Sequence, residues 1–131
     1  MKRRGNQLGQ SAVEFALIMP VLVLILMGVF DFGRAFYAYS VVANAAREGA
    51  RVGIYSTATD AQIRAAVRQY WVGLGTLSDS SITISPAEPR LSKELIEVAV
   101  RYEFVPITPV IDAFLPGGKI ALASSSIMRV E

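Results

Sequence analysis

A run of sixteen uncharged residues, 15–30, stands between two acids, Glu14 and Asp31, and eleven of the sixteen are Leu, Ile, Val or Phe. As a helix, this run covers about 24 Å, and residues 11–13 extend it towards the roughly 30 Å of a hydrocarbon core. Its apolar side chains favour insertion by about 5 kcal/mol, whereas one acidic group at the membrane centre costs about 2.5–3.5 kcal/mol. We therefore predict a transmembrane helix over residues 10–31.

The flanks of this run predict its orientation. Three basic residues precede it: Lys2, Arg3 and Arg4. Basic residues mark the cytoplasmic side of a span, so residues 32–131 should form a domain on the outer side of the membrane. Pro20 leaves the Ala16 carbonyl without its helical donor, and we expect a kink there. A plain signal anchor, a cleaved secretory signal peptide and a buried core helix stay open, although residues 31–34 offer no small-residue cleavage site.

Composition argues against catalysis. The chain has no histidine and no cysteine, so it lacks the commonest general base, the thiol nucleophile and the usual zinc ligands. Leaving out the three basic residues before residue 9, ten basic residues remain against eleven acidic ones, without a clustered basic face. This pattern does not favour nucleic-acid binding. We predict no enzymatic activity, no cofactor and no metal, and rank a hydrolase with an acidic pair last.

Helical spacing continues to about Val52. Seven residues recur at steps of three and four: Phe32, Ala35, Phe36, Tyr39, Ala43, Ala46 and Ala50. This stripe should form the packed face of an amphipathic helix, and its alanines permit close approach by a neighbour. A short second helix should follow, with Thr59 or Asp60 as its N-cap. Its expected core side chains are Ile63, Val67 and either Tyr70 or Trp71.

Three strands are predicted over residues 81–85, 94–105 and 119–130. The second alternates most clearly, and five of its side chains should point inward: Ile96, Val98, Val100, Tyr102 and Phe104. A three-stranded antiparallel sheet packed on the long helix would give an α+β fold. Residues 106–115 between the last two strands are unusually apolar. They could cover the sheet edge, dock on another subunit or rest on the membrane surface.

The heptapeptide GQSAVEF at residues 9–15 resembles the class III signal of type IV prepilins, in which a basic leader ends in glycine and a glutamate stands five residues beyond the cut. The longer pattern is similar to the TadE-like pseudopilin family of Flp/Tad type IVb pilus systems. It continues from residue 9 to residue 20 and includes GVFDFGR at 28–34, AAREGAR at 45–51 and ASSSIMR at 123–129. The middle of the chain, residues 56–94, carries no signature of that family.

This resemblance implies a substrate of an aspartyl prepilin peptidase, which would remove a leader of residues 1–9 by cutting between Gly9 and Gln10. The new ammonium of Gln10 would pair with Glu14 of a neighbouring subunit, and in a low dielectric that pair would set register. Phe15 stands where major Flp pilins more often have tyrosine, which favours a minor component. From the residues alone, Ser11 and Glu14 could form a capping box at a helix start, and Glu14 could serve both roles.

The resemblance thus implies a minor pseudopilin, held in the bacterial inner membrane with a cytoplasmic N-terminus and assembled through its apolar helix. Its expected partners are a prepilin peptidase, other pilins or pseudopilins, the inner-membrane assembly platform and membrane lipid, with no nucleic acid. The alternative is a single-pass, signal-anchored membrane protein whose outer domain binds a partner without entering a filament.

Overall fold

The computed structural model of the chain describes residues 5–131, so the basic residues Lys2, Arg3 and Arg4 lie outside the described part. The first element is a helix of 48 residues, α1, over Gly5–Val52. Its first half projects alone, because residues 9–26 are exposed along their whole length. Its second half packs against the rest of the chain. The long N-terminal helix predicted from the sequence is therefore confirmed.

A second helix, α2, covers Asp60–Gln69 and begins with the predicted Thr59 cap. The Thr59 hydroxyl accepts from the Gln62 backbone N–H, and the Gln62 side chain accepts from the Thr59 N–H, which satisfies two donors at the helix start. As predicted, Ile63 and Val67 face the core and are fully buried. Tyr70 is 41 % exposed and serves as the C-cap.

The three strands are β1 over Ile82–Ser85, β2 over Leu95–Phe104 and β3 over Ile120–Arg129. Both neighbouring pairs are antiparallel, in the order β1-β2-β3. In the register, Ile84 stands opposite Val98, and Val98 stands opposite Ser126. Short 3-10 turns at Asp79–Ser81 and Pro116–Gly118 lead into β1 and β3. The predicted α+β fold with its antiparallel sheet is confirmed.

The core lies between one face of the sheet and the helices α1 and α2. Its fully or almost fully buried members are Val42, Ala45, Ala46, Ala50, Ile63, Val67, Ile82, Ile96, Val98, Val100 and Val130. Alternate side chains of β2 point into it as predicted, with Phe104 buried and Tyr102 half-buried. Trp71 meets Tyr102 edge to face, with ring centroids 5.6 Å apart, at the border of this core.

The packed face of α1 differs from the predicted stripe. Phe32, Phe36 and Tyr39 are exposed, whereas the buried stripe starts one residue earlier, which is about 100° around the helix. Its buried members are Asp31, Ala38, Val41, Val42, Ala45 and Gly49. Ala46 and Ala50 of the predicted stripe are fully buried beside them, so the prediction holds for these two residues. The reason for the shift is close packing at Gly49, where an added Cβ would stand 2.5 Å from Val67 Cγ2. The residue facing α2 there must lack a side chain, and this sets the rotation of the helix.

The connection between β2 and β3 is not a plain loop as expected. It contains a short helix, α3, over Pro109–Phe114. Ile111 of α3 lies beside Gly28, Phe32 and Ala35 of α1, around an apolar cleft of about 240 Å³. This connection therefore packs against the long helix next to the end of the apolar run.

Candidate assembly and anchoring site

The apolar half of α1 is the surface that most distinguishes this molecule. It is the one helix among the described residues that is long and apolar enough to cross a membrane, with a mean hydropathy of 2.6 in its most apolar window. None of that window is buried by the rest of the chain. A soluble core helix would be covered, so the structure disfavours the alternative of a buried core helix.

Gln10 and Glu14 lie one turn apart near the start of this surface. The Gln10 side-chain amide donates a hydrogen bond of 3.0 Å to Glu14 Oε1, and both residues are exposed. The carboxylate is therefore accessible to a group from another molecule. Ser11 lies inside α1, six residues after Gly5, so the capping box of Ser11 with Glu14 is wrong for this helix.

The expected cleavage site is helical. Gly9 and Gln10 belong to α1, and a Cβ built on Gly9 would meet no atom within 4 Å. Proteases bind their substrates in extended form, so this end of α1 has to unwind before a cut between the two residues. Glycine lowers the cost of unwinding, because it weakens a helix by roughly 1 kcal/mol relative to alanine.

Phe15 and Pro20 lie further along the exposed half. The Phe15 ring is 63 % exposed, and Pro20 stands inside the helical stretch without interrupting it. Proline has no N–H to give to the Ala16 carbonyl, so a kink at Pro20 stays a prediction. Both residues sit on a surface that only lipid or another protein could cover.

Asp31, at the end of the apolar run, joins α1 to the domain. It is 3 % exposed, and its Oδ2 accepts hydrogen bonds from the backbone N–H of Ile107 at 2.9 Å and of Thr108 at 2.8 Å. The Thr108 hydroxyl donates to the same oxygen at 2.7 Å, and Arg34 Nη1 lies 3.0 Å from Oδ1. Hydrogen bonds to a charged acceptor are stronger than neutral ones. This carboxylate therefore fixes the β2–β3 connection on α1.

From the sequence, Asp31 was identified only as the acid that ends the apolar run. Two signals could have indicated its role: an acid with an arginine three residues on, and Thr108 as the one hydroxyl in a mostly apolar connection. Neither signal names the partner, because the contact joins residues 77 positions apart.

A groove of about 590 Å³ opens beside this junction, between α1 and the segment after α2. Arg34 lies on one wall, with its guanidinium carbon 5.1 Å from the centre of the Phe104 ring. One turn further along the same helix, the Tyr37 hydroxyl reaches across the groove and donates to the Val72 carbonyl at 3.2 Å. These contacts brace the helix against the domain. Among the described residues, no group of three or more acidic side chains is arranged to hold a metal.

Comparison with protein families finds one family model that matches this helix. The model of the family described as TadE-like protein matches residues 9–51, which is the exposed half of α1 together with most of its packed half. Over residues 9–51, about a third of the chain, the sequence is similar to the TadE-like family. The resemblance noted in the sequence is thus confirmed over that stretch. No curated protein and no solved structure matches the chain.

TadE-like proteins are a pilus-associated, structural family rather than an enzymatic one. A TadE-like segment on an apolar, exposed N-terminal helix fits a membrane protein associated with a Tad pilus. The family itself is associated with pilus systems that contain other pilus components.

Proposed function

We propose that this chain is a minor pseudopilin of a Flp/Tad-type pilus assembly or secretion system. The observation that carries the proposal is the coincidence of two findings on one element. The TadE-like match starts at Gly9, and the same helix leaves an apolar surface uncovered by its own domain. A surface of this kind suits a subunit that exchanges lipid for neighbouring helices during assembly.

In this proposal, residues 1–9 are a cytoplasmic leader, residues 10–31 span the inner membrane and residues 32–131 form the domain outside. A prepilin peptidase cuts between Gly9 and Gln10 on the cytoplasmic side. The products are a free leader and a chain that begins with the ammonium of Gln10. The assembly platform and other pilins or pseudopilins then receive the cut subunit.

Glu14 acts in assembly by accepting the N-terminal ammonium of a neighbouring subunit. Its exposed position and its single turn of separation from Gln10 support this role. Within one chain, the Gln10 side-chain amide occupies Glu14 Oε1, and Oε2 remains available to the ammonium of an adjacent subunit. In low dielectric, an ion pair that loses one partner leaves a costly uncompensated charge. The pair therefore selects the correct register between subunits.

The test replaces Glu14 by glutamine, which keeps the shape of the side chain and removes its charge. Glu14→Gln should insert in the membrane and be processed, yet be absent from sheared pili, as measured by immunoblots of membrane and pilus fractions. The matched control is Glu48→Gln, which removes a carboxylate from the packed half of the same helix and should leave pilus incorporation unchanged. Equal incorporation of both variants would contradict the assembly role of Glu14.

A further inference from the structure

With the Glu14 carboxylate among the cytoplasmic headgroups, the apolar run that follows it is too short to cross the hydrocarbon core by itself. Residues 15–30 cover about 24 Å of a hydrocarbon core of about 30 Å. A mismatch of this size is met by thinning the bilayer, by snorkelling of flanking residues or by oligomerisation. It does not arise where further apolar surface adjoins the span. The structure offers such a surface directly beyond Phe30.

Asp31 and Arg34 follow the run but do not end its apolar surface. Asp31 is buried under the N–H groups of the β2–β3 connection, and Arg34 is paired with it. Beside these charges, α1 carries Phe32 at the rim of the cleft that Ile111 lines, 73 % exposed, and Phe36 one turn further on, 66 % exposed. The charges therefore face the domain, and the aromatic rings face outward.

The β2–β3 connection adds apolar surface at the same height along α1. Its hydrogen bonds to Asp31 and the contact of Ile111 with the cleft beside Gly28 place it next to the last turns of the run. Ile107 is 57 % exposed and Phe114 is 83 % exposed. These are large side chains to leave in water without a partner.

Charge is scarce around these side chains. Residues 105–118 contain one ionisable residue, Asp112. At the start of β3, Lys119 Nζ lies 2.7 Å from Glu103 Oε2, and this contact lowers the pKa of the Glu103 carboxyl. Both partners of that pair stay more than half exposed, as expected for groups at the water side of a membrane boundary.

We propose that Phe32, Phe36, Ile107 and Phe114, here called the interfacial patch, lie in the lipid leaflet at the C-terminal end of the span. The outer domain is then partly sunk into the membrane and held in one orientation by Asp31. Counting the apolar face of α1 from residue 15 to residue 36 gives about 33 Å, which matches the hydrocarbon core. This inference rests on the membrane-spanning part of the proposed function and is independent of cleavage and pilus assembly.

The absence of cysteine from the chain permits a direct test with single-cysteine variants of the full chain. Phe36→Cys and Phe114→Cys probe the interfacial patch, and both sites are exposed, so the fold tolerates the label. Leu22→Cys, in the middle of the run, is the reference for a label inside the bilayer. Ser125→Cys, on the exposed face of β3, is the reference for a label in water. Each variant carries a nitroxide and is reconstituted at one chain per lipid nanodisc. Collision rates with oxygen and with a water-soluble nickel chelate are measured.

Labels at positions 36 and 114 should favour oxygen over nickel several-fold, as at position 22, while the label at 125 favours nickel. Nickel access at 36 and 114 equal to that at 125, with position 22 still in lipid, would overturn this inference and leave the span intact. Nickel access at position 22 as well would overturn the span itself. The same labels are also measured in vesicles that hold many chains. Protection from nickel at 36 and 114 in those vesicles but not in single-chain nanodiscs would assign the patch to a second copy and contradict a lipid contact.

Discussion

At the scale of single residues, Asp31 carries the link between membrane helix and domain. A carboxylate with 3 % exposure is costly to bury unless its oxygens are paired, and here two backbone N–H groups, one hydroxyl and one guanidinium surround it. The donors of Ile107 and Thr108 depend on this carboxylate in turn. Loss of the acceptor would leave them without a partner.

We expect Asp31→Ala to loosen the β2–β3 connection, because each buried donor left unsatisfied costs about 1–3 kcal/mol. Amide hydrogen exchange of Ile107 and Thr108, measured on the full chain in nanodiscs, should become much faster. The matched control is Glu48→Ala, which breaks the exposed Glu48–Arg51 pair, also at a spacing of three residues on α1. It should cost at most about 1 kcal/mol. Unchanged exchange at 107 and 108 in Asp31→Ala would contradict the anchoring role.

Buried charged residues were the part that the sequence could not predict. The Arg90 side chain is fully buried, donates to the Ala58 carbonyl at 2.8 Å and pairs with Asp60. It ties the β1–β2 connection to the start of α2. In the sequence, Arg90 looks like any other arginine among prolines, because its partners lie about thirty positions away.

At the scale of elements, the alternation of β2 and the Thr59 cap could be predicted, since strand periodicity and capping are local properties. The rotation of α1 about its axis, which decides the face that packs on the domain, could not be predicted. Phe32, Phe36 and Tyr39 look like core residues by spacing, and only the approach of α2 to Gly49 shows that the neighbouring stripe is buried. Helical periodicity identifies an apolar face. When one helix has two apolar faces, tertiary contacts decide which of them is buried.

The close approach at Gly49 predicts an asymmetry between glycines of the same helix. Gly49→Ala should destabilise the domain by about 1–3 kcal/mol, because the new methyl would overlap Val67 and crowd Val98. Gly33→Ala should be neutral or stabilising by up to about 1 kcal/mol, since no atom lies within 4 Å of its Cβ position. Urea unfolding followed by the fluorescence of Trp71 measures both. Equal stability of the two variants would contradict the packing of α1 on α2.

At the scale of the whole molecule, the chain divides into an exposed apolar half-helix and an α+β domain. The division could be predicted, because an apolar run and an alternating strand pattern can both be recognised from the hydropathy of the sequence. The attachment of the domain at Asp31 required the structure, and so did the proposal that the interfacial patch lies in lipid. The TadE-like match covers residues 9–51, and the physical account of the remainder comes from packing alone.

The account depends most on the removal of the leader, because the pairing of Glu14 needs the ammonium that this cut creates. The most direct test is the intact mass of the chain after coexpression with a prepilin peptidase, using Gly9→Leu as the uncut control. We predict that the mature chain begins at Gln10, whereas Gly9→Leu keeps its leader. A wild-type chain that keeps residues 1–9 beside an active peptidase would contradict the pseudopilin account and favour a signal-anchored membrane protein.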